Sequence, residues 1–209
     1  MSNPSATPAR RVSRPAEPAE AVRSTLTPDN WIEAATDVLV SQGIDRVRVD
    51  LLAGELGVTR GSFYWHFKDR EDLLQRVLQA WRERATEELT HRLGMASADP
   101  REQLRDVISL PFRGRSAARA ARIELAIRAW ARRDGMARQA VDEADSSRIA
   151  YIAQIFSSLG FTILEARSRA FLLYSFVVAE SQISAPVPAA QRADRARFVE
   201  RLLLQRVDG

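Results

Sequence analysis

Residues 47–67 read VRVDLLAGELGVTRGSFYWHF, and this stretch decides the fold. Val49, Leu52, Ala53 and Leu56 recur at helical spacing, which predicts a short helix over 48–56 ending at Gly57. A second short helix is predicted over 59–66. Two helices that cross steeply around a tight turn need a small residue where they approach, a glycine free to take positive φ, and apolar inner faces. Ala53 is the small residue, Gly57 stands four positions later, and Leu52, Leu56, Val58 and Phe63 supply the inner contacts. Met together, these requirements define a helix-turn-helix over 48–67. The second helix also carries four rings within five positions, Phe63, Tyr64, Trp65 and Phe67. Phe63 and Phe67 are i and i+4 and share a face. Tyr64 and Trp65 lie about 100° and 200° around from it, so a helix in a small domain cannot bury them all. The exposed rings, with His66 beside them, call for a partner.

Outward from this motif the pattern stays helical. TPDNWIEAATDVLVSQG, residues 27–43, has an N-cap in Thr27, a proline at the first helical position and Asp29 at the positive helix end. Trp31, Ala34, Ala35, Val38 and Leu39 follow at helical spacing and Gly43 stops the helix, giving 28–42. Asp69 opens a long helix containing Leu73, Leu74, Val77, Leu78, Trp81 and Leu89. Further helices are predicted at 101–109, 116–133, 136–159, 162–183 and 189–206, separated by Pro111, Gly135, Gly160 and the Pro186/Pro188 pair. No segment sustains the period-2 alternation of a strand, so the fold class is all-α. Three units follow: a flexible arm at 1–24, a helix-turn-helix domain at 25–85 and a larger helical domain at 86–209. The arm holds four of the nine prolines and a small basic cluster at Arg10, Arg11 and Arg14.

Composition excludes several classes of function. The 209 residues include no cysteine, which removes disulfides, Cys-ligated metal and thiol catalysis. No apolar run approaches the ~18 residues a membrane span needs, and the N-terminus lacks the apolar core of a secretory signal. These features fit a cytoplasmic protein. The high isoelectric point is a poor guide to partners, because net charge is only +4 and Lys68 is the one lysine among 31 bases. Residues 1–85 balance twelve bases against twelve acids, so any nucleic-acid interface depends on local placement. His66 and His91 are the two histidines, and neither stands at metal-ligand spacing from a carboxylate cluster. No Ser/His/Asp arrangement or phosphate-binding loop is present. An enzyme is not expected, nor a cofactor or a metal.

The segment 27–76 resembles the N-terminal domain of the TetR family of transcriptional regulators. The resemblance is carried by the first helix ending at Gly43, by LLAGELGVTRGSFYWHF at residues 51–67 and by KDREDLL at 68–74. It implies a recognition helix over Thr59–His66. Arg60 and Ser62 would read base edges, with Thr59 beside them at the start of the helix. Tyr64, His66 and Lys68 would contact the DNA backbone, Arg48 would add a contact from the preceding helix, and Gly61 would permit close approach. Trp65 has two readings: packing on sugar or phosphate, or bracing the first helix.

For the rest of the chain the resemblance implies a homodimer, paired through helices 136–159 and 162–183. The second of these is apolar nearly all round from Ala170 to Ala179. It also implies a small-molecule pocket, with Phe112, Trp130, Tyr151, Phe171 and Tyr174 as candidate lining. Arg119 lies within about 40° of the inward stripe Ile123, Ile127 and Trp130. An arginine there needs an anionic partner, either an acidic side chain or a ligand carboxylate or phosphate. Glu124 and Arg128 read as an i,i+4 surface pair on the opposite side. The implied function is a repressor released from a palindromic operator by an effector. The alternative is a DNA-binding protein of the same type with no effector, controlled by a protein partner.

Overall fold

The computed structural model describes residues 26–96, 98–112, 114–183 and 187–206, with the side chains of 85–96 outside that description. The expected flexible arm at 1–24 lies outside the described residues. Nine α-helices are described: α1 Pro28–Gln42, α2 Val49–Glu55, α3 Arg60–Tyr64, α4 Arg70–Ala96, α5 Pro100–Ser109, α6 Gly114–Ala131, α7 Gly135–Ser158, α8 Ile163–Gln182 and α9 Ala189–Leu204. Single 3₁₀ turns lie at Ile44–Arg46 and Leu110–Phe112. No strand occurs among the described residues, and most helix ends fall within two residues of the sequence expectation.

Local chemistry sets these boundaries. The Thr27 N–H donates to the Asn30 side chain at 2.8 Å, with Pro28 at the first helical position. Gly43 leaves α1 at φ +86° and Gly57 leaves α2 at φ +67°, a region that admits glycine without steric penalty. The Val58 N–H then donates to the Ala53 carbonyl at 2.9 Å and folds the turn back on α2. Helix α3 is shorter than the 59–66 expected from periodicity. The N–H groups of His66 and Phe67 both donate to the Phe63 carbonyl, at 2.9 and 3.0 Å, so the last turn tightens and stops. Arg70 secures the motif to α4, donating to the carbonyls of Val47 at 2.6 Å and Ile44 at 2.8 Å.

Two apolar cores are present, and α7 belongs to both. The first joins Trp31, Val38, Leu39, Leu52, Phe63, Phe67, Leu73, Val77 and Trp81 to Ile127 and Trp130 of α6 and to Ala137, Ala140, Val141 and Ala144 of α7. The inner faces of the DNA-binding segment are therefore covered by residues well beyond position 85. The second core joins α5, the C-terminal half of α7 (Ile152, Ile155, Phe156), α8 and Leu203 of α9. Helix α9 runs antiparallel to α8. Arg195 donates to Glu180 at 2.6 and 2.9 Å, and Arg169 donates to the carbonyls of Leu203 and Gln205 at 2.8 Å each.

Between the cores lies an ion network that corrects the reading of Glu124 and Arg128 as a surface pair. Glu124 is buried. Arg148 of α7 donates to both its carboxylate oxygens, at 3.0 and 3.1 Å, and Arg128 donates to it at 2.9 Å. Arg128 also donates to Asp145 of α7, at 3.0 and 2.5 Å. The Tyr174 hydroxyl of α8 donates to Asp145 at 2.6 Å and accepts from Arg148 at 2.8 Å. The Arg148 guanidinium lies 5.6 Å from the centre of the Trp81 ring on α4. Helix α6 is thus enclosed on two sides, which a single inward stripe does not anticipate.

Candidate nucleic-acid interface

Helix α3 and the turn that follows it divide their rings between two surroundings. Phe63 is wholly buried, edge-on to Trp31 at 5.3 Å and stacked on Phe67 at 5.2 Å. These contacts anchor the helix in the first core, and such aromatic pairs contribute about 0.5–1.5 kcal/mol beyond their buried area. On the other side Tyr64 is 57% exposed and Trp65 87% exposed. Of the two readings of Trp65, the exposure rules out bracing α1. Tyr64 keeps an edge contact with Phe63 at 5.2 Å while more than half of its surface stays exposed.

Thr59, Arg60, Gly61 and Lys68 are exposed on the same short segment, and Ser62 and His66 are half-buried. His66 stands against the edge of Phe67 at 6.4 Å. A methyl group built on Gly61 would meet only the Thr59 hydroxyl oxygen, at 3.6 Å. Nothing in the chain's own packing therefore requires glycine at this position. Arg48 is exposed at the start of α2 and donates to Asp50 at 3.2 and 2.9 Å. Asp50 was not anticipated from the sequence. It orients Arg48; desolvation raises its carboxyl, but the hydrogen bonds and charge of Arg48, together with backbone N–H groups, hold it below the ordinary range. The arrangement is a rigid base carrying a small outward face of rings, hydroxyls and cations.

The six candidate effector residues lie in different surroundings. Trp130 is buried in the first core. Tyr174 belongs to the second, with its hydroxyl taken up by the ion network. Tyr151 packs on the second core, and its buried hydroxyl has no hydrogen-bond partner. Phe112 lies 5.8 Å from the guanidinium of Arg192 on α9. Phe171 is 60% exposed on α8. Arg119 is exposed and takes the acidic side-chain alternative, donating to Asp37 at 2.8 Å and to Glu33 at 3.4 Å on α1. Two open surface clefts of about 670 and 560 Å³ are lined by none of the six.

A helix-turn-helix with an exposed polar and aromatic second helix, set on a larger helical body, is the class of a DNA-binding protein. Residues 32–77 match the family described as bacterial regulatory proteins, tetR family. That segment is a TetR-type DNA-binding domain. The HTH-type transcriptional regulator SrpR of Pseudomonas putida is 41% identical over 58 residues, covering 28% of this chain and 27% of that protein. The tetracycline repressor protein class A from transposon 1721 of Escherichia coli is 35% identical over 79 residues, covering 38% and 35%. The chain thus aligns with only about a quarter to a third of these relatives. The fold extends further. AibR, solved in complex with isovaleryl coenzyme A and operator DNA, superposes with a TM-score of 0.62 at 20% identity, over 85% of this chain and 98% of that one.

Proposed function

We propose that the chain is a homodimeric DNA-binding repressor that recognises a palindromic operator and is released by a small-molecule effector. One observation carries the DNA-binding reading: Arg60 and Tyr64 on α3, with Trp65 and Lys68 just after it, stand exposed on a segment that Phe63 and Phe67 lock into the core. Arg60 and Ser62 read base edges, Tyr64, Trp65, His66 and Lys68 hold the backbone, and Arg48 adds a phosphate contact from α2. Support for pairing comes from exposed apolar groups on α8 (Leu164, Phe171, Leu172) and on the adjacent α9 (Phe198, Leu202). The sequence reading put the pairing on 136–159 and 162–183. The exposed face of α7 is polar (Gln139, Asp142, Glu143, Ser146, Ser147), so α8 and α9 are the helices whose apolar faces need cover.

Effector release is supported by the partnerless Tyr151 hydroxyl, since buried polar groups are as a rule bonded. The acyl-coenzyme A in the AibR complex is that protein's ligand, and it makes a thioester a reasonable first class to screen here. The test is selection of duplexes from a random pool, followed by footprinting. The expected result is an inverted repeat with half-site centres about 34–36 Å apart. A single asymmetric site bound by a monomer overturns the reading. Arg60→Ala should cost about 1–3 kcal/mol and relax preference at one base position. A uniform loss across all sequences would make Arg60 a phosphate contact.

A further inference from the structure

Helix α7 leaves the first core at Ala144 and enters the second at Ile152. The interval between them carries Asp145 and Arg148, the two members that α7 contributes to the ion network. Glu124 and Arg128 come from α6 and Tyr174 from α8, while Trp81 of α4 lies against Arg148. Helices α4, α6, α7 and α8 each place a polar or aromatic group in the cluster. Removing one partner from such a cluster leaves a buried charge unpaired, whereas an apolar replacement of the whole is often neutral for stability. What the network adds over an apolar joint is a fixed register, because only one arrangement of the helices satisfies all its bonds.

The helices so registered have different tasks. Tyr174 sits on α8, the helix with the exposed apolar face. Arg119, near the start of α6, pairs with Glu33 and Asp37 of the DNA-binding segment, and Arg133, just past the end of α6, pairs with Asp45 at 3.5 Å. Helix α4 runs from that segment into the body. Among the described residues, the polar path from pairing helix to reading head passes through the Tyr174 hydroxyl. We propose that Glu124, Arg128, Asp145, Arg148 and Tyr174 are positioning residues that set the separation of the two reading heads in the dimer. The proposal rests on the dimeric operator-binding reading above.

The experiment uses the full chain and a palindromic duplex selected by it from a random pool, remade with one or two base pairs inserted or removed between the half-sites. The wild type should bind one spacing best. Tyr174→Phe removes the α8 member and leaves the ring in place. It should stay dimeric by sedimentation and bind a duplex bearing a single half-site as the wild type does, while its preference for the best spacing falls about tenfold. Asp145→Asn, which keeps the side-chain shape, should do the same and carries the measurement if Tyr174→Phe is not dimeric. Arg105→Ala, which breaks an exposed pair with Glu200, should leave the preference intact. A dimeric variant with undiminished spacing preference overturns the joint and leaves the repressor reading standing. A wild type indifferent to spacing overturns both.

Discussion

At the level of single residues, Gly61 separates the needs of the fold from those of the interface. Its backbone is helical and a methyl group there would touch nothing closer than 3.6 Å. Gly61→Ala should raise thermal stability, by up to about 1 kcal/mol, because alanine loses less backbone entropy in a helix. The same change should weaken DNA binding at least severalfold, because the added carbon faces the approaching duplex. Melting and gel-shift titration of one preparation check both halves, and unchanged binding would remove Gly61 from the interface. Gly57 is the converse case. Its φ of +67° is costly for any residue with a Cβ. Gly57→Ala should therefore destabilise by about 1–2 kcal/mol, read from the denaturant midpoint.

Among the elements, the helix-turn-helix was the most legible in the sequence, because its requirements are local. A small residue, a turn glycine and apolar inner faces lie within twenty-one positions and decide the geometry without help from distant chain. The division of rings on α3 followed from angle alone. The fate of Trp65 did not, since it depended on whether α1 came near enough to cover the ring. Helix α6 shows why the larger body was harder to read. Its stripe Ile123, Ile127 and Trp130 was visible, but Glu124 is buried by Arg148 of α7, twenty-four residues on, and no local period encodes that contact. Arg119 was singled out correctly as needing an anion, and the anion proved to be two acids of α1, more than eighty residues earlier. Pocket residues were the least legible, because a chamber depends on how several helices diverge. On α8, Phe171→Glu puts a charge into the apolar face. It should raise the dimer dissociation constant about a hundredfold in sedimentation while helicity is retained. A variant that remains dimeric at the same concentration would place the pairing elsewhere.

For the whole molecule, the ion network sets the expected response to pH. Burial disfavours a charged Asp145, but its hydrogen bonds from Arg128 and Tyr174 outweigh this and hold the carboxyl below its ordinary value of 3.8. A depressed carboxyl stabilises the fold above its unfolded pKa, and that stabilisation is lost as pH falls through the folded value. Tyr174 is shifted the other way. Burial first, and its bond to Asp145 with it, push the hydroxyl from 10.0 to about 12. Its contribution is complete below pH 10 and disappears as pH rises toward 12. The melting temperature should thus be level across the neutral range, with an alkaline fall between pH 10 and 12 that Tyr174→Phe reduces. An unchanged alkaline limb in that variant would assign the fall to other groups. Helix α7, shared by both cores, has a consequence for how the chain comes apart. Heating should give one calorimetric peak, because neither half can melt while the other keeps that helix in place. A fragment cut at residue 85 would keep its recognition sequence intact but lose Ile127, Trp130 and Val141 from above α1 and α4, and should not hold a cooperative fold by itself.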